Sequence, residues 1–432
     1  MRLAHIAQED SRLPPGPASL GSLTRVVHEL TTRLARRQPL TVYATRFADD
    51  AAEERRGDVR YVRVPAGRDT ELFRFCYRWR NRIGRRVGLD ERPFASTAAY
   101  YRSYIRRIAR RVAGDRPDVV HLHNVTQFIP PLRAAVPRAK LVLQMHCEWL
   151  VELPRATIAP RLAATDLILG VSSHVVRQVQ EAFPAHAARC RVLHNGVDLA
   201  RFPTRERTLA DRSAPVAALR ARLGIRGPVV LYVGRLSSEK GVHLLLEAFD
   251  AVRARWPEAT CILAGPDWGP LRRVAAPGDA LGRELARLDR DYMGHLQRLA
   301  APHGERVVFA GGVPNRDLAL YYAVADVVAA PSLLEAFGLP AIEAAASGVP
   351  VVAAATGGLL DTVVPGTTGL FVPPGDPRAL AEAVTELFAD PDRARALGRA
   401  ARDRIAAQFT WDRIADTLAG YYDDLQTARR AA

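Results

Sequence analysis

Apolar positions along this chain fall in short runs separated by stretches of helical spacing. In the first half, the runs that read as strands are Leu3–Ala7, Thr41–Thr45, Val59–Val64, Asp118–His123, Leu141–His146, Leu167–Val171 and Arg191–His194. Between the first two lies a helical stripe over Gly21–Arg36, with Leu23, Val26, Val27, Leu30 and Leu34 on one face. Strands that alternate with helices imply a parallel, doubly wound sheet, whose ligand side is the C-terminal edge of its strands. From about Leu199 to Arg226 the chain turns polar and charged, with Pro203 and Pro215. A second alternating series follows, with strands at Val229–Val233, Thr260–Ala264, Val307–Ala310, Asp326–Ala329, Val351–Ala354 and Leu370–Val372. The pattern therefore predicts two Rossmann-like α/β domains, over 1–200 and 227–409, joined by a linker at 201–226. An amphipathic helix over 410–429 is expected to return to the first domain.

At 432 residues, 48% hydrophobic and 25% charged, the chain can bury two sizeable cores. It has no apolar run of about 18 residues, so no membrane span is expected. Its start runs directly into a strand, without the basic and apolar regions of a signal peptide. Cys76, Cys147, Cys190 and Cys261 are scattered and read as reduced thiols of a cytoplasmic protein. The net charge of +15 comes almost wholly from arginine, since Lys140 and Lys240 are the only lysines. Such basicity favours anionic partners without choosing among them. Two stretches break the βα rhythm. Arg68–Arg116 holds fourteen arginines against five acids, interleaved with Phe73, Phe75, Tyr77, Trp79, Tyr100, Tyr101 and Tyr104. It reads either as a basic aromatic surface for a membrane interface or anionic acceptor, or as a helical pair with its aromatics packed inward. Asp267–Tyr292 is a charged insertion after a strand.

The chemistry concentrates in two segments of the second half. One is Ala330–Thr356, where Glu335 and Glu343 are separated by seven residues that include Phe337, Gly338, Leu339 and Pro340. Proline suits the first turn of a helix, so the layout is strand, loop, helix. Glu335 then lies on the loop and Glu343 one turn into the helix. The amides of Gly338 and Leu339 stand where an open α/β sheet binds phosphate. The other segment is Gly234–Gly241 (GRLSSEKG), a turn between a strand and a helix. An arginine fork and a lysine point charge on such a turn suit a diphosphate. A basic pair capping a surface loop is the competing reading, and the carboxylate segment in the same domain weakens it.

Taken together, GRLSSEKG and EAFGLPAIE resemble the retaining glycosyltransferases of the GT-B fold, specifically glycosyltransferase family 4. HNGVD (His194–Asp198), the Ala346–Ala353 run followed by Gly357 and Gly358, and FTWDRIA (Phe409–Ala415) agree. The resemblance is strongest over Val229–Pro374 and weakest over Arg46–Arg116. It implies a GT-B architecture, two Rossmann-like domains facing a cleft, and transfer of a hexosyl group from a nucleotide-diphosphate sugar, UDP- or GDP-linked, to a hydroxyl acceptor. It also implies front-face attack with retention, and neither metal nor cofactor. By position, Arg235 and Lys240 would bind the donor diphosphate, Glu343 the ribose and Glu335 the sugar hydroxyls. Phe337, Gly338 and Leu339 would meet the distal phosphate side, and Val313 and Pro314 would flank the base. His146, in QMHCEWL, would sit beside the transferred sugar. Gly21-Ser22 stands where many members have two glycines. His123, Asn124, Glu148 and Trp149 are candidate acceptor contacts.

Alternatives remain. A sugar-nucleotide epimerase shares the architecture, and a non-catalytic relative could retain it; the paired carboxylates with Arg235 and Lys240 speak against both. A dehydrogenase is disfavoured because no G-x-G-x-x-G follows the first strand. His121, His123 and His146 could be imagined as metal ligands, but core or cleft histidines fit better. Donor base, acceptor and linkage are not written in the chain. The acceptor could be a glycan, a lipid-linked sugar or a small molecule, with no nucleic-acid partner, and the Arg-rich stretch leaves a peripheral contact with the inner membrane face open.

Overall fold

The computed structural model describes residues 1–8, 12–16, 21–79, 97, 99–267 and 279–431; at 74, 76–79 and 428–431 it describes the backbone alone. The chain forms two compact units. The first takes residues 1–16, 21–195 and the last helix, Trp411–Ala431; the second takes Gly196–Thr410.

The first unit carries an eight-stranded sheet. Its strands are β1 Leu3–Ile6, β2 Leu40–Thr45, β3 Glu53–Arg56, β4 Val59–Val64, β5 Val119–His123, β6 Lys140–Met145, β7 Leu167–Gly170 and β8 Cys190–Val192. They run in the order β3-β4-β2-β1-β5-β6-β7-β8. All ladders are parallel except β3–β4. The second unit carries six strands, β9 Val229–Val233, β10 Thr260–Ala264, β11 Val307–Gly311, β12 Val327–Ala330, β13 Val351–Ala354 and β14 Gly369–Val372. Their order is β11-β10-β9-β12-β13-β14, parallel throughout. Their apolar runs are buried because helices cover both faces of a parallel sheet. In each sheet the chain order reverses beside the first strand of the unit. These switch points, β1/β5 and β9/β12, leave a crevice at the strand C-termini where the flanking loops diverge.

The structure changes one sequence expectation, favours one of two open readings and adds one strand. The 201–226 stretch is not a linker: it folds into helices Arg205–Asp211 and Ser213–Arg222, with Val216 and Leu219 buried. They pack on helix Leu318–Val324, and Arg205 pairs with Asp326 at 2.9 Å. Their polar faces are the solvent side of helices whose few apolar residues point at one neighbour. The aromatics of the Arg-rich stretch that are described mostly turn inward. Tyr100, Tyr101 and Tyr104 are buried, and Phe73 meets Tyr100 edge-on. Asp69 explains this packing: its carboxylate accepts the Ser103 and Tyr104 amides at 3.0 and 2.9 Å, docking helix Gly67–Trp79 on the start of helix Arg102–Asp115. Residues 80–96 and the side chains of Cys76, Tyr77 and Trp79 lie outside the described residues, as do 17–20 of the loop before Gly21. Finally, β3 escaped notice because its sequence, EERR, is polar at every position; it is an exposed antiparallel edge strand.

One layer of the first unit's interior is polar. His5 on β1 lies in register with His121 on β5, and His121 and His123 share a strand face, as alternation requires. Their rings stack, with centroids 4.8 Å apart for His5–His121 and 4.5 Å for His121–His123. His123 continues to His146 at 5.3 Å. Tyr422 of the last helix closes the layer edge-on. Burial lowers all four histidines below their ordinary value of 6.5, His5 and His146 to about 3.

Between those values the unfolded chain binds protons that the folded chain refuses. Stability is therefore complete above about pH 6.5 and falls as pH drops below it, by up to ~1.4 kcal/mol per pH unit for each ring. Melting temperature followed from pH 7.5 to 4.5 should decline through this window. A flat profile would show that the histidine layer does not stay neutral.

Candidate active site

The second unit holds most of the candidate residues, and its switch point gathers the charged ones. Strand β9 ends at Val233 and turns through Gly234–Gly241; β12 ends at Ala330 and turns through residues 331–338 into helix Leu339–Ala346. The strands are neighbours, so the two turns leave the sheet side by side. Gly241, at φ +65°, starts helix Val242–Arg255, and a Cβ there would come within 2.1 Å of the Pro331 carbonyl oxygen. Only glycine permits that approach of one turn to the other.

Across this contact Lys240 Nζ donates to Glu335 Oε2 at 3.0 Å, with both side chains only 16% exposed. Lys240 also donates to the Leu334 carbonyl oxygen at 3.3 Å. Glu335 accepts the Ser332 hydroxyl at 3.2 Å, and its second oxygen accepts the Phe337 amide at 3.5 Å. Burial by itself would raise this carboxyl. The Lys240 charge and hydrogen bond, with the Phe337 and Ser332 donors, outweigh burial and leave it below its ordinary value. Glu335 is thus an anion held by a cation, unsuited to acting as a proton donor.

The backbone of Glu335 is pinned as well. Its carbonyl accepts the Gly358 amide at 2.8 Å, and a Cβ on Gly357 or Gly358 would lie 2.0 or 2.4 Å from the backbone oxygens of Glu335 and Ala336. The glycine pair after β13 is therefore the seat of the Glu335 loop. Helix Leu339–Ala346 begins at Gly338, at φ +95°, with Pro340 in its first turn. The amides of Gly338 and Leu339 stand at this start, where no helical carbonyl can reach them. Glu343, one turn on, is buried and accepts the Tyr322 hydroxyl at 3.1 Å.

Arg235 extends from the other turn, 41% exposed, 3.4 Å from the buried Glu239. Glu239 also accepts the Ser237 hydroxyl at 2.8 Å, and its carbonyl oxygen accepts the Leu333 and Leu334 amides. The charged insertion after β10 supports this turn from below. Ser238 donates to the buried Asp289 at 2.6 Å, and Tyr292 packs on His243. Residues 268–278 of the insertion lie outside the described residues. Val313 is buried and Pro314 half-buried on the loop after β11. Sequence reasoning missed Ser332, Tyr322, Glu239 and Asp289. Ser332 stands three residues before Glu335 on the same loop; the other three carried no motif.

The remaining candidates lie in the first unit, after β1, β5 and β6. His146 follows β6, and its amide donates to Asn124 Oδ1 at 2.8 Å. Asn124, at φ +67°, is the turn residue after β5 and ties its own amide to Gln144 at 2.9 Å. His123 bridges to His146 at 3.0 Å. Glu148 lies 3.1 Å from His174, and Trp149 is half-buried. Gly21 and Ser22 open helix Ser22–Ala35 without a side-chain cap. The histidine nitrogens face one another within a stack, and among the described residues no cluster of metal-ligating side chains occurs.

Both units match known protein families. The Glycosyltransferase Family 4 profile matches residues 23–201, and that of Glycosyl transferases group 1 matches residues 217–404. A D-inositol 3-phosphate glycosyltransferase of Xylanimonas cellulosilytica is 30% identical over 457 aligned positions, covering 100% of this chain and 98% of that one. The glycogen synthase of Mycobacterium tuberculosis is 29% identical, over 94% of this chain and 92% of its own. The sucrose-phosphate synthase of Thermosynechococcus elongatus superposes with a TM-score of 0.72 at 25% identity, over 99% of this chain and 100% of that structure. The chain belongs to glycosyltransferase family 4 and is a glycosyltransferase of GT-B fold.

Proposed function

We propose that the protein is a retaining, metal-independent glycosyltransferase that takes a sugar from a UDP- or GDP-sugar. The observation that carries this reading is the Lys240–Glu335 pair set beside the start of helix Leu339–Ala346 at a switch point. That arrangement offers one cation, one fixed anion and free amides within a single crevice. A diphosphate needs the cation and the amides; sugar hydroxyls need the anion. Arg235 and Lys240 hold the diphosphate, and Gly338 and Leu339 the distal phosphate, with Phe337 beside them. Glu343, oriented by Tyr322, accepts from the ribose, and Val313 and Pro314 flank the base.

Stabilising the departing charge in this way leaves no step that requires a metal. Glu335, kept ionised by Lys240, orients the sugar and does not serve as the acid or base of a glycosidase pair. A leaving phosphate oxygen takes the acceptor proton, so the new bond forms on the face the nucleotide leaves. His146 borders the transferred sugar. Gly21 and Ser22 bear on the phosphate side, and His123, Asn124, Glu148 and Trp149 on the acceptor side. The relatives' names span an inositol phosphate, a polysaccharide and a sugar phosphate at near-equal identity. That spread supports no single acceptor here.

Lys240→Ala and Glu335→Gln should each lower turnover by on the order of 10²–10³-fold, the usual cost of removing a preorganised charge partner. Activity near the wild-type level in both would overturn the site. Both variants must be checked for folding, since breaking a buried pair by truncating one partner costs ~3–5 kcal/mol. A thermal-shift comparison of UDP-, GDP-, ADP- and dTDP-sugars should show stabilisation by a UDP- or GDP-sugar, and its loss in Lys240→Ala. A peripheral membrane contact would rest on Leu72 and Phe75, 50% and 63% exposed on helix Gly67–Trp79. A wild-type chain that fails to co-sediment with anionic vesicles would remove that reading, and co-sedimentation that persists in Leu72→Ser/Phe75→Ser would remove these two residues from it.

A further inference from the structure

The polar layer of the first unit is a continuous chain of hydrogen bonds ending at His146. His146 Nε2 lies 3.0 Å from His123 Nδ1, and His123 Nε2 lies 3.1 Å from His5 Nδ1. His5 Nε2 lies 3.2 Å from the Tyr422 hydroxyl, which is 2.5 Å from His121 Nδ1. At one end His146 Nδ1 is a buried atom with no hydrogen-bond partner, and at the other His121 lies against the Gln144 side chain. Every nitrogen between them is used once. A neutral imidazole donates from one nitrogen and accepts at the other, and a tyrosine hydroxyl has one proton. From His146 to His5 the bonds can therefore run in only two directions. Either His146, His123 and His5 each donate from Nε2, the tyrosine oxygen accepting from His5 and either donating to His121 or accepting from it, or each of the three donates from Nδ1 and the tyrosine donates to His5. None of these three rings can reverse alone without setting two donors or two lone pairs against each other.

We propose that Tyr422, His5 and His123 are positioning residues that fix the proton arrangement of His146 from the last helix. The order assigned is the first, in which His146, His123 and His5 carry their proton on Nε2, the tautomer that free histidine itself prefers. His146 then presents a bare Nδ1 lone pair, an acceptor for a hydroxyl. The inference rests on the reading that His146 borders the transferred sugar. It adds that the ring arrives there uncharged and in one tautomer, so that it orients a hydroxyl without exchanging a proton with it.

Selective 15N-histidine labelling of the full chain tests this directly. In the wild type, His146 should show a protonated Nε2 and an unprotonated Nδ1 at neutral pH; the opposite tautomer or a mixture would overturn the proposal. In Tyr422→Phe the His5 Nε2 proton loses its acceptor, and the order from His5 to His146 should reverse, exchanging the two nitrogen shifts of His146. His5→Met, which deprives His123 of its acceptor, should reverse His146 likewise. An unchanged His146 in the folded variants would overturn the coupling. For Tyr422→Phe the turnover number should fall by about tenfold or more, with the donor KM within about threefold, the signature of a lost transition-state interaction. His146→Ala separates the two ideas. Full activity in that variant would remove His146 from the sugar, whereas loss of activity beside an unmoved tautomer in Tyr422→Phe would remove only the relay.

Discussion

Lys240 and Glu335 meet because two neighbouring parallel strands release their loops in the same direction and glycine lets those loops touch. The contact is expensive to assemble: both charges leave most of their water behind, and attraction repays that only when further donors complete the geometry. Here Ser332 and the Phe337 amide complete the carboxylate, and the Leu334 carbonyl helps hold the ammonium. Much of the surrounding sequence can be understood as serving this pair. Gly241 lets the first turn close on Pro331, Gly357 and Gly358 seat the second, and Ser238 with Asp289 props the first from beneath.

Such a pair suits a site that must receive a charged ligand. In the free protein Lys240 and Glu335 satisfy each other, so neither requires the ligand for stability. A diphosphate offers the lysine a stronger anion, and a sugar offers the carboxylate neutral donors. Binding can then exchange one internal bond for two external ones without leaving a buried charge unmatched. Arg235, 3.4 Å from Glu239, extends from the same turn as Lys240.

What the sequence disclosed follows from what has local character. Fully buried parallel strands such as VVLYV in β9 and TCILA in β10 were legible because burial on both faces leaves an unbroken apolar run. Pro340 and Gly338 disclosed the helix start, since each is suited to a backbone condition set within one turn. Features that depend on distant partners were not legible. Helices Arg205–Asp211 and Ser213–Arg222 resembled a linker because they bury few apolar residues, against helix Leu318–Val324, which is distant in sequence. Tyr322 and Glu239 have no signature near the carboxylates they serve. His5 looked like an ordinary strand residue, and Tyr422 like one aromatic of an amphipathic helix.

The two units solve the problem of buried polarity in opposite ways. At the β9/β12 switch point, charge is retained and matched, which keeps Glu335 ionised. At the β1/β5 switch point, burial without a counter-charge drives the histidines neutral, and hydrogen bonds among them satisfy what ionisation cannot. A neutral layer costs less to desolvate, but it brings a stricter constraint: the tautomers of His146, His123 and His5 dictate one another. Charge matching leaves Lys240 and Glu335 able to change partners, while tautomer matching ties His146 to the order of His123 and His5. One site can therefore adapt to what it binds and the other can present a fixed face, a division built into the strands from which each arises.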